Sequence, residues 1–419
     1  MSHITRCPHP SRNRTADMQK MDYLILGAGP CGLSIAISLL DLGVEPSRLL
    51  LLEENSCVGG LCRSELVDNA PLDIGGGHFL DVRNQEVLDF LFRFLPAKEW
   101  MTHHRVAKII LRNQEVDHPL EGNLWQLAKS DQIDFLESIA QAGCVRGDPI
   151  PPSFEAWIAW KLGHRIAQEY MLPYNRKLWS MELDQLGTYW LYKLPDVSFR
   201  DTLRSCLEER PFGSLPAHGT FLYPRRYGYG EVWRRMGAAL EDRVITNFPV
   251  TDIDLDRHVV NGQFESKTII STIPWTLWPG IANLPDAIIQ CIHALRHVPI
   301  DVDYLPENLP TSAHWMYEPR EDVSYHRLLI RHNFCSGSRG HWTETNTRRS
   351  GAVVHFRHRN EYAYPINTLN KPEAIAKILD WAESKGVIGA GRWGTWEHLN
   401  SDVAVADGRK LAKRLVAQN

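Results

Sequence analysis

The stretch YLILGAGPCGLSIAISLLDLGVEPSRLLLLEE at residues 23–54 decides the fold. A short apolar run at residues 22–26 leads into a glycine-rich turn, and a helical apolar pattern then continues through residue 40. A second apolar run follows at residues 49–53. Strand, helix and strand within about 30 residues are typical of a βαβ unit, so the sequence predicts a Rossmann-type domain at this point.

The turn carries the spacing Gly-x-Gly-x-x-Gly at Gly27, Gly29 and Gly32. In a dinucleotide site the first glycine permits the tight turn, the second lets the backbone approach a pyrophosphate, and the third allows close packing of helix on strand. Glu53 ends the second strand, where a carboxylate can accept hydrogen bonds from the adenosine ribose. These residues predict a dinucleotide cofactor.

Two further segments favour a flavin over a nicotinamide. Gly59-Gly60, followed by Leu61-Cys62-Arg63, resembles the second glycine motif of FAD enzymes in the amine-oxidase and protoporphyrinogen-oxidase superfamily. Gly391-Arg392, followed by a helix, resembles their C-terminal FAD segment, where a helix dipole stabilises negative charge on a reduced flavin. The FAD contacts that these motifs and the resemblance imply are Gly27, Gly29, Gly32, Glu53, Glu54, Gly59, Gly60, Leu61, Arg63, Gly77, His78, Gly391, Arg392 and Asp402.

Composition limits the class of partner. The chain has 419 residues, with 46 Lys and Arg against 50 Asp and Glu, giving a formal net charge of −4 and no block of like charge. Nucleic-acid binding and stable membrane insertion are therefore not expected, and a small-molecule substrate is. Eight scattered cysteines lack metal-site spacing, which predicts reduced thiols, no metal site and a cytoplasmic location.

The patterns divide the chain as follows. Residues 1–20 are expected to form a disordered leader, and residues 21–84 the first part of the FAD domain. Residues 85–214 have helix-like spacing, interrupted by a strand at residues 106–111, and predict an inserted, mainly helical domain. Residues 215–370 contain short β-rich pieces and predict an antiparallel substrate-side sheet together with part of the FAD domain; residues 371–419 complete the FAD domain. The fold class predicted is α/β.

Several motifs occur in the order seen in one family. PLDIGGGHFLDV at residues 71–82, PYNRKLW at 173–179, YPRRYGYGEVW at 223–233, SYHRLLIRHNF at 324–334 and EYAYPINTLN at 361–370 resemble the UDP-galactopyranose mutase family. The resemblance covers about residues 22–416 and is weakest between 240 and 320. One departure is that Glu344 is followed by Thr345, where the family often has a tyrosine, so one phosphate contact is expected to be missing or replaced.

The resemblance implies roles for individual residues. Arg176 and Arg327 would bind the substrate diphosphate from opposite sides, Tyr364 would hydrogen-bond a phosphate, and Trp179 would line the sugar pocket, with arginine suited to phosphate through its planar fork of donors. His78 would lie near the flavin on the glycine-rich loop. The implied catalytic residues are Arg327, Arg176 and His78, and the implied substrate contacts are Arg176, Trp179, Arg327, Tyr364, Asn175 and Tyr317.

The implied function is a flavin-dependent isomerase that converts a nucleotide-activated pyranose to its furanose through an adduct of the sugar with N5 of the reduced flavin, for cell-surface polysaccharide biosynthesis. The reductant would be NADPH or NADH, and a homo-oligomer is left open. Two alternatives remain at this point. One is an FAD-dependent oxidase or desaturase of the wider superfamily, and the other is a flavoprotein that binds a nucleotide sugar without turnover.

Overall fold

The computed structural model describes residues 18–191, 197–213, 219–352 and 355–418. Residues 1–17 of the predicted leader lie outside the described residues. The strands are β1 Gln19–Leu26, β2 Leu49–Leu52, β3 Ser64–Val67, β4 Ala70–Asp73, β5 Leu80–Asp81, β6 Trp100–His104, β7 Ala107–Leu111, β8 Gln114–Asp117, β9 Thr220–Pro224, β10 Val244–Ile245, β11 Ile253–Asp254, β12 Val259–Val260, β13 Phe264–Ser271, β14 His297–Leu305, β15 Trp315–Tyr317, β16 Arg327–Leu329, β17 His341–Asn346, β18 Phe356–Pro365 and β19 Val387–Gly389. The α-helices are α1 Pro30–Asp41, α2 Gln85–Phe92, α3 Lys129–Ala140, α4 Gly143–Arg146, α5 Phe154–Ile166, α6 Leu172–Trp179, α7 Phe199–Glu208, α8 Gly230–Ala239, α9 Asp286–Ala294, α10 Lys371–Ser384, α11 Gly391–Gly394 and α12 Ser401–Ala417.

A mostly parallel sheet, of seven strands in the described residues, forms the first layer of the fold, and β12 and β11 extend it antiparallel beyond β13. Strands β10, β2, β1 and β13 lie side by side in that order, β19 pairs with the end of β13, and all these pairs are parallel. Leu24, Ile25 and Leu26 of β1 are fully buried, as expected for a central strand covered on both faces. Helices α1 and α12 pack against each other beside this sheet. The predicted Rossmann-type α/β fold is confirmed.

The second sheet has the order β18, β14, β17, β16, β15, β7 and β8. Its neighbours are antiparallel except for β7 and β15, which run parallel. Strands β7 and β8 extend this sheet although they lie in the segment 85–214 that was predicted to be mainly helical. Pairing satisfies the backbone hydrogen bonds of β15, which would otherwise be an edge strand.

Of the short β-rich pieces predicted within residues 215–370, three lie outside the antiparallel substrate-side sheet, and two of these lie in the sheet of the Rossmann-type domain, as the predicted share of that domain in this segment allows. The pieces at residues 244–247 and 268–271 contribute β10 and β13 to the parallel sheet. The piece at residues 220–223 becomes β9, which pairs with β5 and β6 in a separate small sheet. Predicted pieces of about four residues carry little information on their partners, because pairing is fixed by distant parts of the chain.

The helical part of residues 85–214 contains α3, α5, α6 and α7, packed around the fully buried Phe135 and Phe154. Within the described residues, no helix has the length and apolar content needed to cross a membrane. Over the same residues, no cluster of three His, Cys, Asp or Glu side chains is arranged to hold a metal ion.

Candidate functional site

The loop after β1 turns at Gly27 and leads into the N-terminus of α1, where Gly29 is the N-cap residue. The N–H of Gly27 donates to the carbonyl oxygen of Leu52 at 2.8 Å, which ties the loop to the end of β2. A Cβ at Gly32 would lie 2.1 Å from the carbonyl oxygen of Gly27, so glycine lets α1 pack closely on the loop. The free N–H groups of a helix N-terminus bind anions such as phosphate.

Glu53 also organises this loop. One oxygen of its carboxylate accepts the N–H of Ala28 at 2.9 Å, and the other accepts the backbone N–H and the side-chain amide of Asn55 at 3.0 and 2.7 Å. The side chain is buried, whereas the neighbouring Glu54 is exposed. The carboxylate is therefore fixed beside the glycine turn. Contact with a ribose stays a prediction for both residues.

The second glycine motif packs directly on the first. The N–H of Gly59 donates to the carbonyl oxygen of Ala28 at 2.8 Å. Gly60 adopts a φ of +53°, and a Cβ there would lie 3.3 Å from the Cα of Gly29. The Nε of Arg63 donates to the carbonyl oxygen of Gly60 at 3.0 Å and holds the turn. Two loops that are distant in sequence thus form one surface of bare backbone.

A third glycine loop, residues 75–77, joins this surface. A Cβ at Gly75 would lie 1.8 Å from the carbonyl oxygen of Leu61, so the third loop contacts the second through backbone alone. His78 follows, and its Nδ1 lies 3.1 Å from the carbonyl oxygen of Gly76. We call residues 27–32, 59–63 and 75–78 the glycine cradle. A flat cofactor or phosphate chain can approach such a surface closely because no side chains intervene.

The pKa of His78 depends on its burial and on the charges beside the cradle. Burial and then the positive charge of Arg392 lower the pKa of His78 to about 3, with a smaller contribution from Arg327. Its ring stacks on that of Tyr229 at a centroid distance of 6.2 Å. The ring is therefore neutral at physiological pH, with Nδ1–H donating to the backbone. The charge of Arg392 near this neutral ring indicates a positive potential that would attract an anion.

The C-terminal segment at residues 391–394 packs against α1 beside the cradle. A Cβ at Gly391 would lie 2.7 Å from the Cβ of Cys31, so α11 approaches α1 closely. The buried guanidinium of Arg392 donates to the carbonyl oxygens of Ala363 and Leu399 at 2.8 and 2.6 Å. Burial lowers the pKa of Arg392. Across the described ranges, no carboxylate forms an ion pair with Arg392, whose charge faces carbonyl dipoles and the ring of Tyr364, with the guanidinium carbon 5.9 Å from the ring centroid.

Helix α12 begins beside the same site. The hydroxyls of Tyr229 and Ser401 share a hydrogen bond of 2.6 Å, which connects the ring under His78 to the N-terminus of α12. Asp402 lies in the first turn of this helix and is buried. Sequence reasoning missed Tyr229, although it lies in a segment that carried the family resemblance.

A polar cluster on the second sheet faces the cradle. The Nε of Arg327 donates to Glu344 at 2.9 Å, and its Nη2 donates to the hydroxyl of Tyr364 at 3.0 Å. Glu344 also accepts the N–H of Gly77 at 2.9 Å. Burial alone would lower the pKa of Arg327, but the charge of Glu344 outweighs it and holds this pKa well above its ordinary value. Arg327 is therefore a permanent, oriented cation.

Asn175 and Trp179 form a pair within α6. The Nε1 of Trp179 donates to the Oδ1 of Asn175 at 3.0 Å, and the amide of Asn175 donates to the carbonyl oxygen of Met171 at 2.8 Å. The Trp179 ring lies edge-on to Tyr364 at a centroid distance of 6.4 Å. The structure thus brings Trp179 to the polar cluster, while Asn175 fixes the orientation of the indole.

The structure does not bring Arg176 to this cluster. Its guanidinium pairs with Glu155 of α5 at 3.0 Å, and about half of the Arg176 side chain is exposed. At about 100° per residue, Arg176 lies roughly 200° round α6 from Tyr174, whose ring contacts Tyr317 and His326. The structure therefore does not place Arg176 beside Arg327. Any diphosphate contact by Arg176 stays a prediction that requires this ion pair to open.

Tyr317 completes the aromatic wall beside Arg327. Its hydroxyl accepts hydrogen bonds from the Nε1 of Trp315 at 3.2 Å and from Arg105 at 3.4 Å, and its ring lies 5.5 Å from that of Tyr174. Tyr174 was missed by sequence reasoning although it lies in the quoted segment 173–179. In the sequence, Glu344 was mentioned only because Thr345 follows it. The feature that could have identified it as a functional residue is that it is the one acidic residue in strand β17.

Comparisons with known proteins agree with this fold. Residues 25–94 match the family model described as an NAD(P)-binding Rossmann-like domain. The structure is similar to that of a reduced UDP-galactopyranose mutase, with a TM-score of 0.85, 22% sequence identity, and 95% of this chain and 94% of the other covered. It is also similar to cyclohexylamine oxidase from Brevibacterium oxydans, with a TM-score of 0.64, 16% identity and coverage of 95% and 99%.

A third similar structure is a fatty acid isomerase from P. acnes, with a TM-score of 0.63, 14% identity and coverage of 95% and 98%. The three proteins have different activities, so the likeness establishes the fold and the Rossmann-like dinucleotide domain. The fold implied by the motifs at residues 22–416 is confirmed. A shared fold does not fix the reaction, which depends on the residues of the site.

Proposed function

We propose that this fold binds FAD in the glycine cradle. Support comes from the bare backbone where Gly29, Gly60 and Gly75 meet neighbouring loops, since a Cβ at any of them would fill the space or press on those loops. The N-terminus of α1 would face the pyrophosphate, and Glu53 would face the ribose. His78 and the Arg392 segment would face the flavin ring. The donors and shape of these residues fit such a cofactor.

We further propose that the protein is an isomerase that converts a nucleotide-activated pyranose of the UDP-galactopyranose type to its furanose. The observation that carries this proposal is the Arg327 cluster, in which a guanidinium is oriented by Glu344 and joined to Tyr364 next to the cradle. Its Nε and Nη2 are used within the protein, while 22% of the side chain stays exposed. The remaining edge of the fork can bind a diphosphate.

In the proposed reaction, FAD in its reduced form would supply a nucleophile for the anomeric carbon. The residues of the chain then have separate tasks. Arg327 and the Tyr364 hydroxyl would stabilise the negative charge that grows on the departing diphosphate, which favours the transition state over the ground state. Trp179 and Tyr317 would exclude water from the sugar. His78, neutral because its pKa is about 3, would not act as an acid at neutral pH.

The test is anaerobic incubation of the reduced, FAD-loaded protein with a panel of nucleotide sugars, followed by chromatography for furanose products. We expect product from UDP-galactopyranose or a close analogue with the reduced protein and none with the oxidised protein. No net electrons should be consumed.

The same preparation separates the alternatives. Hydrogen peroxide production from an amine or a hydroaromatic substrate by the oxidised protein, with no furanose product, would identify an oxidase. Tight binding of a nucleotide sugar without conversion under reducing conditions would identify a binding protein. Either result would contradict the proposed isomerase.

A further inference from the structure

Glu344 makes contacts to two parts of the site that come from different layers of the fold. One carboxylate oxygen accepts the N–H of Gly77 in the cradle, and the other accepts Nε of Arg327 on the second sheet, each at 2.9 Å. The side chain of Glu344 is fully buried. It touches Gly76 so closely that a Cβ on this glycine would lie 2.6 Å from its oxygen.

The charge of Glu344 is balanced by Arg327. His326 is the other basic group nearby, with its Nε2 at 3.8 Å from the carboxylate. Burial, with the charges of Arg327 and Lys177, lowers the pKa of His326 well below its ordinary value, so this ring is neutral. Within the part of the chain that the structure describes, Arg327 is therefore the one cation in an ion pair with the Glu344 carboxylate.

A buried carboxylate with two bonded oxygens is a rigid connector. Breaking a buried ion pair leaves an uncompensated charge, and the side chain cannot turn away without losing the Gly77 hydrogen bond. Because Glu344 uses the Nε edge of Arg327, it also decides which edge of the guanidinium faces the open side. The position of the cradle and the position of the guanidinium are thus set by the same side chain.

We propose that Glu344 is a positioning residue that fixes the distance between the cofactor loop and the diphosphate-binding arginine, a role that rests on the function proposed above. It acts through Gly77 on the cofactor and through Arg327 on the diphosphate. The contact with Gly77 and the contact with Arg327 can be tested by different substitutions. Glu344→Gln keeps an oxygen for the Gly77 N–H but places an amide donor against the donors of Arg327, whereas Glu344→Ala removes both contacts.

The experiment measures FAD affinity by titrating apoprotein, and UDP affinity by calorimetry on the FAD-loaded protein. We expect Glu344→Gln to change the FAD Kd by less than about threefold and to weaken UDP binding by about tenfold, the size of one charge-assisted hydrogen bond. Glu344→Ala should in addition raise the FAD Kd by about tenfold. Asp303→Asn is the matched control, because Asp303 forms a bidentate ion pair with Arg357 between β14 and β18 at 2.6 and 2.7 Å. It should change neither affinity.

A double-mutant cycle gives the second readout. In an Arg327→Lys background, Glu344→Gln should weaken UDP binding by less than about threefold, because Glu344 then has no planar guanidinium to orient. Equal effects in both backgrounds, or an FAD Kd that Glu344→Ala leaves unchanged, would overturn the proposal. If the wild type binds no UDP, the proposed function is wrong. The FAD titrations then still test whether Glu344 positions the cofactor loop through Gly77. If Glu344→Ala does not fold, the Glu344→Gln cycle decides the proposal through the Arg327 contact.

Discussion

Gly60 and Gly29 meet backbone against backbone, so that a Cβ on Gly60 would lie only 3.3 Å from the Cα of Gly29. The contact joins the helix-forming glycine turn to a segment that lies beyond the second strand of the sheet. Because neither residue has a side chain, the surface above them stays open to a phosphate chain. Side chains at these positions would close it.

Gly60→Ala should therefore weaken FAD binding. We expect the FAD Kd to rise by about tenfold or more, from the lost approach of the phosphate together with strain at a φ of +53°. Gly262→Ala is the matched control, since Gly262 has a φ of +64° but nothing within 4 Å of its Cβ position. Gly262→Ala should lose roughly 1 kcal/mol of stability from backbone strain, and Gly60→Ala should lose that amount and the cost of crowding Gly29. Equal FAD affinity in the two variants would show that the glycine cradle does not bind FAD.

His78 should make the folded protein sensitive to acid. Its folded-state pKa of about 3 lies below the ordinary value of 6.5, so between these values the unfolded chain binds a proton that the folded chain does not. Stability is thus fully present above pH 6.5 and is lost as the pH falls. At pH 5 the loss from His78 is on the order of 2 kcal/mol.

Urea unfolding at pH 7.5 and pH 5 measures this effect. The difference in unfolding free energy between the two pH values should be smaller in His78→Gln than in the wild type. The exposed His164 provides the control, and His164→Gln should leave the difference as it is. A His78→Gln protein with an unchanged difference would show that His78 is protonated in the fold.

Arg327 should affect both turnover and stability. Arg327→Ala leaves the buried Glu344 carboxylate without its cation, which should cost about 3 kcal/mol or more in unfolding free energy. Arg327→Lys keeps the charge but not the planar fork, so we expect near-normal stability and a turnover reduced by roughly a hundredfold. Combining Arg327→Ala with Glu344→Gln should recover part of the stability. Wild-type turnover in Arg327→Lys would show that the guanidinium is structural.

The local patterns of the sequence predicted those elements that depend on neighbouring residues. The strand predicted at residues 22–26 is the core of β1, and the helix predicted to follow Gly391-Arg392 is α12, Ser401–Ala417. Long runs with a clear period of 2 or 3.6 depend little on the rest of the chain. The pairing of β7 with β15 could not be read in this way, because it joins residues about 200 positions apart.

The site was predicted unevenly for the same reason. Glycine spacing is local, and the cradle residues are where the motifs suggested. The ion pair of Arg176 could not be predicted in this way, because its partner, Glu155, lies on another helix. This pair keeps Arg176 on the surface. Glu344 was not recognised as a connector because its two contacts, Gly77 and Arg327, become neighbours only when the two layers pack.

The most direct test follows the bond that the proposed isomerase must break. UDP-galactopyranose carrying 18O in the bridge between the anomeric carbon and the β-phosphorus is incubated with the FAD-loaded protein without oxygen. We predict that the reduced protein moves the label into the non-bridging positions of the β-phosphate, as phosphorus NMR detects, that the oxidised protein does not, and that Arg327→Lys does so far more slowly. Retention of the label in the bridge by reduced, FAD-loaded wild-type protein that binds the substrate would contradict the proposed isomerase.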